Sequence, residues 1–202
     1  MNRIKSLCSR FPLYSEDLGI DLNKPSGRFR WFLASILFGA RISEKIAMKT
    51  YRAFEKYDIL TPEKILDAGR DELVRILDEG GYVRYDFSTA TKLLNIMKEL
   101  KEKHGSLEEL YSLSKDTSDL VDKLKQFKGI GDVTVQIFLR ELRGIWNINL
   151  PVSAKAKEMA QRLNIDPGQL GGEDLARLEA ALVKLNIRYR KKQDIPGSLF
   201  FF

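Results

Sequence analysis

Two glycines one residue apart, in Phe127-Lys128-Gly129-Ile130-Gly131-Asp132-Val133-Thr134, stand between two segments with helical apolar spacing. Ahead of them Leu120, Val121, Leu124 and Phe127 recur at three- and four-residue intervals, the signature of one helix face. Behind them Val133, Val135, Ile137, Phe138 and Leu142 predict a second, mostly buried helix. Glycine tolerates positive φ and lets an anion reach the backbone with no Cβ in the way. The free N–H groups that open the second helix would then point at that anion, with the helix dipole behind them. Lys125 and Lys128 add charge beside the turn, and Thr134 adds a hydroxyl. Lys125, Lys128, Gly129, Ile130, Gly131 and Thr134 are therefore candidate contacts to a nucleic-acid backbone. A plain glycine turn between two packed helices fits the same residues, so the rest of the chain must decide.

The rest reads as helix almost throughout. Residues 29–38 are apolar along nearly their whole length, as expected of a buried central helix. Ser43, Thr61 (before Pro62) and Ser106 are placed as helix starts. Leu73, Ile76 and Leu77 form a stripe that stops at Gly80-Gly81, and a helix from Asp86 ends at His104-Gly105. Further helices are predicted over residues 152–163 and 174–185. No run alternates as a strand would, so the expected class is all-α, with no internal repeat or linker.

A net charge of +6 agrees with a polyanionic partner. The excess is clustered at Arg28, Arg30 and Arg41, at Lys123, Lys125 and Lys128, and from Arg188 to Lys192. Each cluster taken singly also fits a solvated face. One cysteine, Cys8, excludes an intrachain disulfide or a cysteine-built metal cluster. The single histidine, His104, sits at a helix end, where an imidazole near the last carbonyls is common. No apolar run reaches membrane length and no secretory core opens the chain, so no membrane partner is expected and the expected location is intracellular: cytoplasmic and nucleoid-associated.

With the hairpin placed after several short helices, the chain resembles the helix-hairpin-helix DNA glycosylases, the superfamily containing endonuclease III. The resemblance runs from about Phe29 to Ile165. Its matching parts are 33–37, Gly80-Gly81-Tyr82, the hairpin, Trp146 and 160–165, in that order and spacing. It implies a six-helix barrel over residues 28–131 that ends in the hairpin, and a second helical domain built from 1–27 and 132–202. It further implies duplex DNA as partner, a base extruded into the protein, and a role in base-excision repair.

Two positions depart from the family pattern. Where bifunctional members carry a lysine that attacks the sugar, this chain has Val133, which cannot be a nucleophile. A glycosylase without β-lyase activity is expected. Where members carry an aspartate, the alignment places Ser153, which bears no charge at neutral pH. Ser153 and the nearby Lys155 are the candidate catalytic groups, Lys155 being equally readable as an ordinary surface lysine. The four cysteines of the iron–sulfur cluster found in many endonuclease III relatives are missing, and no cofactor is expected. A noncatalytic damage-sensing protein on the same fold is the alternative.

The resemblance also places Arg41 where relatives fill the gap left by the extruded base. Arg41 could do so, hold a phosphate, or pair with a local carboxylate. Tyr82, Arg84 and Tyr85 lie in the loop that relatives use as a wedge, where rings stack on bases or simply pack on neighbouring helices. Finally, Gly197-Ser198-Leu199-Phe200-Phe201-Phe202 either folds back onto the helical body or docks on a partner. It loosely resembles the peptides that bind the DNA sliding clamp.

Overall fold

A computed structural model describes residues 2–191, of Asn2 the backbone alone; among these it is all-helical and no strand occurs. The Phe-rich segment 197–202 and its clamp reading lie outside the described residues. The chain divides into two compact units: a central one, Ile20–Phe138, and a terminal one made of the chain up to Gly19 and from Leu139.

The central unit is organised on α3 (Pro25–Phe38), whose first turn carries a proline with no N–H to waste. Trp31, Phe32, Leu33, Ile36 and Leu37 are buried, so this helix is covered on all sides. Buried Ser35 keeps its hydroxyl satisfied on Trp31 O, at 2.7 Å. Arg28, counted above among surface charges, is buried instead. It forks onto both Glu108 oxygens at 2.7 and 2.9 Å and donates to Leu22 O and Asn23 O. A guanidinium with that many acceptors ties chain segments together and is unavailable to a ligand.

Helices α4 (Glu44–Lys56) and α5 (Pro62–Gly80) start on Ser43 and Thr61, whose side chains accept from Ile46 N–H and Lys64 N–H as read from the sequence. They approach so closely that a Cβ on Gly80 would stand 2.3 Å from the Thr50 hydroxyl. Inside α5, Gly69 has φ +69° and breaks the helix, a kink the sequence did not announce. Helix α6 (Asp86–His104) follows, then α7 (Leu107–Ser112), capped by Ser106, and α8 (Thr117–Gln126), capped by Asp116. Phe32 packs edge-on against Phe138 at 5.0 Å, and Trp31 Nε1 donates to Phe138 O. Phe138 belongs to α9 (Asp132–Arg140), and the division between units falls in the last turn of that helix.

The terminal unit contains α1 (Asn2–Arg10), α2 (Tyr14–Asp17), α10 (Ala154–Arg162), a 3₁₀ turn (Pro167–Gln169) and α11 (Gly172–Arg190). Its core joins Leu7 and Phe11 to Met159, Leu163, Leu178, Leu182 and Leu185. Two of its buried charges, Glu141 and Lys184, are held by several partners each. Glu141 accepts from the N–H groups of Tyr14 and Ser15, both at 3.0 Å, and Lys184 donates to Pro12 O and Asp17. A buried ion left alone would cost several kcal/mol, on the order of 3–5.

Candidate nucleic-acid interface

The hairpin lies in the central unit. Phe127 and Ile130 are buried and anchor the turn from beneath, and the Ile130 N–H donates to Phe127 O at 2.9 Å. The two glycines then have different tasks. Gly129 takes φ +92°, the left-handed region that a side chain disfavours. Gly131 is exposed, and a Cβ there would meet nothing within 4 Å. Its carbonyl accepts from Val135 N–H at 3.1 Å, which makes Gly131 the residue from which α9 starts. An anion can therefore reach the first N–H groups of α9 from solvent.

The side chains around the turn differ from the sequence expectation in two places. Lys128 is exposed, with no hydrogen bond or ion pair among the described residues. Lys125 is exposed but bonded to Asp132 at 2.6 Å, which raises its pKa and offsets the charge it presents to a phosphate. Thr134 does not offer its hydroxyl. It is buried against Gly39, where a Cβ would lie 2.1 Å from the Thr134 Oγ. The helical turn explains this: Thr134, Val135 and Phe138 face the core, whereas Val133 faces solvent at 61% exposure. Val133, expected in a mostly buried helix, is its exposed apolar residue.

Tyr82 also departs from the expected wedge. It is 1% exposed, and its hydroxyl donates to Leu37 O at 3.2 Å. The reason is the end of α5. Gly81 adopts φ +95°, and the Tyr82 N–H returns to Leu77 O, which turns the residue after the glycine back onto the helix. That glycine signal was visible in the sequence. Arg84 is exposed beside the Tyr85 ring, with Val83 and Phe87 as the exposed apolar residues of this stretch. Arg41 is exposed and has no carboxylate partner among the described residues, which removes the local ion pair from its three readings.

Beside the hairpin, Ala40, Arg41, Tyr85, Ser88, Thr89 and Lys92 line a groove of about 420 Å³. Lys92 was not legible as a site residue: it is one of several lysines on α6, and only the fold shows it half-buried while others are exposed. Burial lowers the pKa of its ammonium from the ordinary 10.5.

In the terminal unit Ser153 is the N-cap residue of α10, yet its side chain makes no capping bond, and its Oγ is buried without a partner among the described residues. Its N–H donates to Glu179 Oε1 at 2.9 Å, and Glu179 Oε2 takes Arg143 Nη2 at 3.0 Å. Glu179 is the carboxylate that sequence reasoning missed, standing within the apolar run of α11. It is completely buried and holds the start of α10 in place. Lys155 is exposed on the first turn of that helix.

No protein-family model matches the chain. Over 147 residues it is 28% identical to a protein of Methanocaldococcus jannaschii named "Putative DNA repair glycosylase MJ1434". The match takes in 69% of this chain and spans 64% of that relative's length. Among solved structures, it resembles Helicobacter pylori 3-methyladenine DNA glycosylase (MagIII) bound to 1,N6-ethenoadenine. That likeness has a TM-score of 0.54, covers 95% of this chain and 97% of the other, and carries 14% identity. The fold expected from the hairpin resemblance is borne out: the chain is all-α among the described residues and shares its fold with that DNA glycosylase. No helix among the described residues is long and apolar enough to cross a membrane.

Proposed function

We propose that this chain is a DNA-repair protein of the DNA glycosylase type, binding duplex DNA through the Phe127–Thr134 hairpin and acting in base-excision repair on an extruded base. The observation that carries the reading is the open approach at Gly131 to the first N–H groups of α9, with Lys128 unpaired beside it. Backbone recognition of this kind is independent of sequence and suits an enzyme that must search undamaged DNA. With Tyr82 packed inside, the exposed Val83 and Arg84 are the groups of that loop left to act on the gap in the duplex.

Val133 supports hydrolysis of the glycosidic bond without the lyase step, because an exposed valine at that position has no lone pair to offer the sugar. Ser153 and Lys155 remain the candidate groups for the reaction itself. A second reading, a noncatalytic sensor of damaged DNA, is favoured by one specific observation. The carboxylate that touches Ser153 is Glu179, and its oxygens are already taken by Arg143 and a backbone N–H.

Titration with undamaged and lesion-bearing duplexes, followed by assay of base release, tests both readings. Binding with release supports the glycosylase, and binding with discrimination but no release supports the sensor. Absence of duplex binding refutes both.

A further inference from the structure

Lys92 is held in a way that its own fold does not reward. The other buried or half-buried lysines among the described residues have acceptors: Lys184 has Pro12 O and Asp17, and Lys123 has Leu113 O and Asp119. Lys92 has no hydrogen bond or ion pair among the described residues, and burial is the whole cause of its lowered pKa. A cation placed in that environment is disfavoured in the free protein. A methionine would fill the same space without the penalty.

The groove that Lys92 lines contains a second cation, Arg41, and no carboxylate. It also adjoins the hairpin directly. A Cβ on Gly129 would stand 2.5 Å from Lys92 Cδ and 3.1 Å from its Cγ, so the bare glycine is what lets the lysine stem lie across the turn. Gly129 thus serves two purposes, the positive φ of the turn and the passage of Lys92. Groups that lower stability and converge on a concave surface mark sites shaped by a ligand.

We propose that the Arg41–Lys92 groove is a second phosphodiester site, distinct from the N–H groups of α9, which holds the DNA backbone next to the hairpin. The proposal rests on the DNA-binding reading above and extends it to a separate contact. A phosphate between the two cations supplies the counter-charge that Lys92 lacks. The anion is assigned to DNA, not to free phosphate, because the lysine stem touches the hairpin glycine.

The test is Lys92→Met in the full chain, which keeps the stem and removes the charge, with Lys92→Arg as the rescue. Affinity for an undamaged duplex is measured across a salt series, and thermal stability alongside. Lys92→Met should weaken binding to all duplexes alike and reduce the salt slope by about 1. It should also raise the melting temperature, and Lys92→Arg should keep the slope. Unchanged affinity and slope in Lys92→Met, or a lower melting temperature with normal binding, would overturn the proposal and leave Lys92 as a packing residue. Inorganic phosphate that stabilises the wild type but not Lys92→Met, with duplex affinity unaltered, would make this a free-anion site and equally overturn it. If the wild type binds duplex and Gly131→Val weakens it while Lys92→Met does nothing, the groove alone fails. If the wild type binds no duplex, the DNA reading fails with it.

Discussion

Replacing Gly131 with valine separates recognition from folding at the hairpin. The backbone there is not in the left-handed region, and a Cβ meets nothing within 4 Å, so valine fits without strain. Its effects on stability oppose each other. Valine is a poorer helix-starting residue than glycine, worth a loss of up to about 1 kcal/mol. Restricting the unfolded chain returns roughly 0.4–1 kcal/mol. The net change should stay within about 1 kcal/mol, or roughly 2–4 °C in melting temperature for a chain of this size. Binding should respond far more. The valine methyls stand in the open approach to the α9 N–H groups, and a hydrogen bond to a charged phosphate is worth about 1.5–3 kcal/mol. The loss corresponds to roughly 10- to 150-fold in Kd. Fluorescence anisotropy with undamaged and lesion-bearing duplexes reads this directly, with a melt on the same sample. Wild-type affinity in Gly131→Val would refute the hairpin's role, and a loss confined to damaged duplexes would refute its assignment as a backbone contact.

Four further outcomes are expected. Gly129→Ala should destabilise the protein by about 1–3 kcal/mol through its φ of +92°, read as a lower denaturation midpoint, in contrast to Gly131→Val. The wild type should give no borohydride-trapped species with an abasic duplex, whereas Val133→Lys, at an exposed position, should give one at unchanged stability; a wild-type band that Lys155→Ala abolishes would contradict this. Glu179→Gln leaves buried Arg143 without its counter-charge and should cost about 3–5 kcal/mol in chemical denaturation. The Lys115 N–H and then Lys123 hold the Asp119 carboxyl below its ordinary 3.8, so its contribution is full above that pH and is lost as pH falls through the lower folded value; Asp119→Asn should reduce stability at neutral pH and flatten the acid limb of a pH–melting curve.

The helices were legible where a side chain marks their ends. Ser43, Thr61 and Ser106 each accept the N–H that their positions predict, and Gly81 closes α5 in the left-handed region. The hairpin was legible for the same reason, since two glycines between two apolar periodicities leave few other options. Gly69 was not, because a single glycine between helix formers reads as a tolerated one, and its positive φ exists only in the folded chain. Helix α11 runs from Gly172 to Arg190, well past the apolar stripe that announced it, because its ends carry charged residues. Side-chain direction was the main loss at the candidate site. Thr134 and Tyr82 are polar or amphipathic residues in promising positions, and both are turned inward by the geometry of the neighbouring glycine or helix turn. Lys92 and Glu179 escaped notice for the opposite reason. Each is an ordinary charged residue in sequence, and its meaning comes from what the fold leaves it to face.

The most direct test of the account is single-turnover base release from a panel of duplexes bearing alkylated, oxidised, deaminated and etheno-bridged bases, resolved with and without alkali. The account predicts that at least one lesion yields an abasic site, with strand breakage appearing only after alkali. Base loss from none of them at saturating protein would contradict the glycosylase assignment, and breakage without alkali would contradict the absence of a lyase.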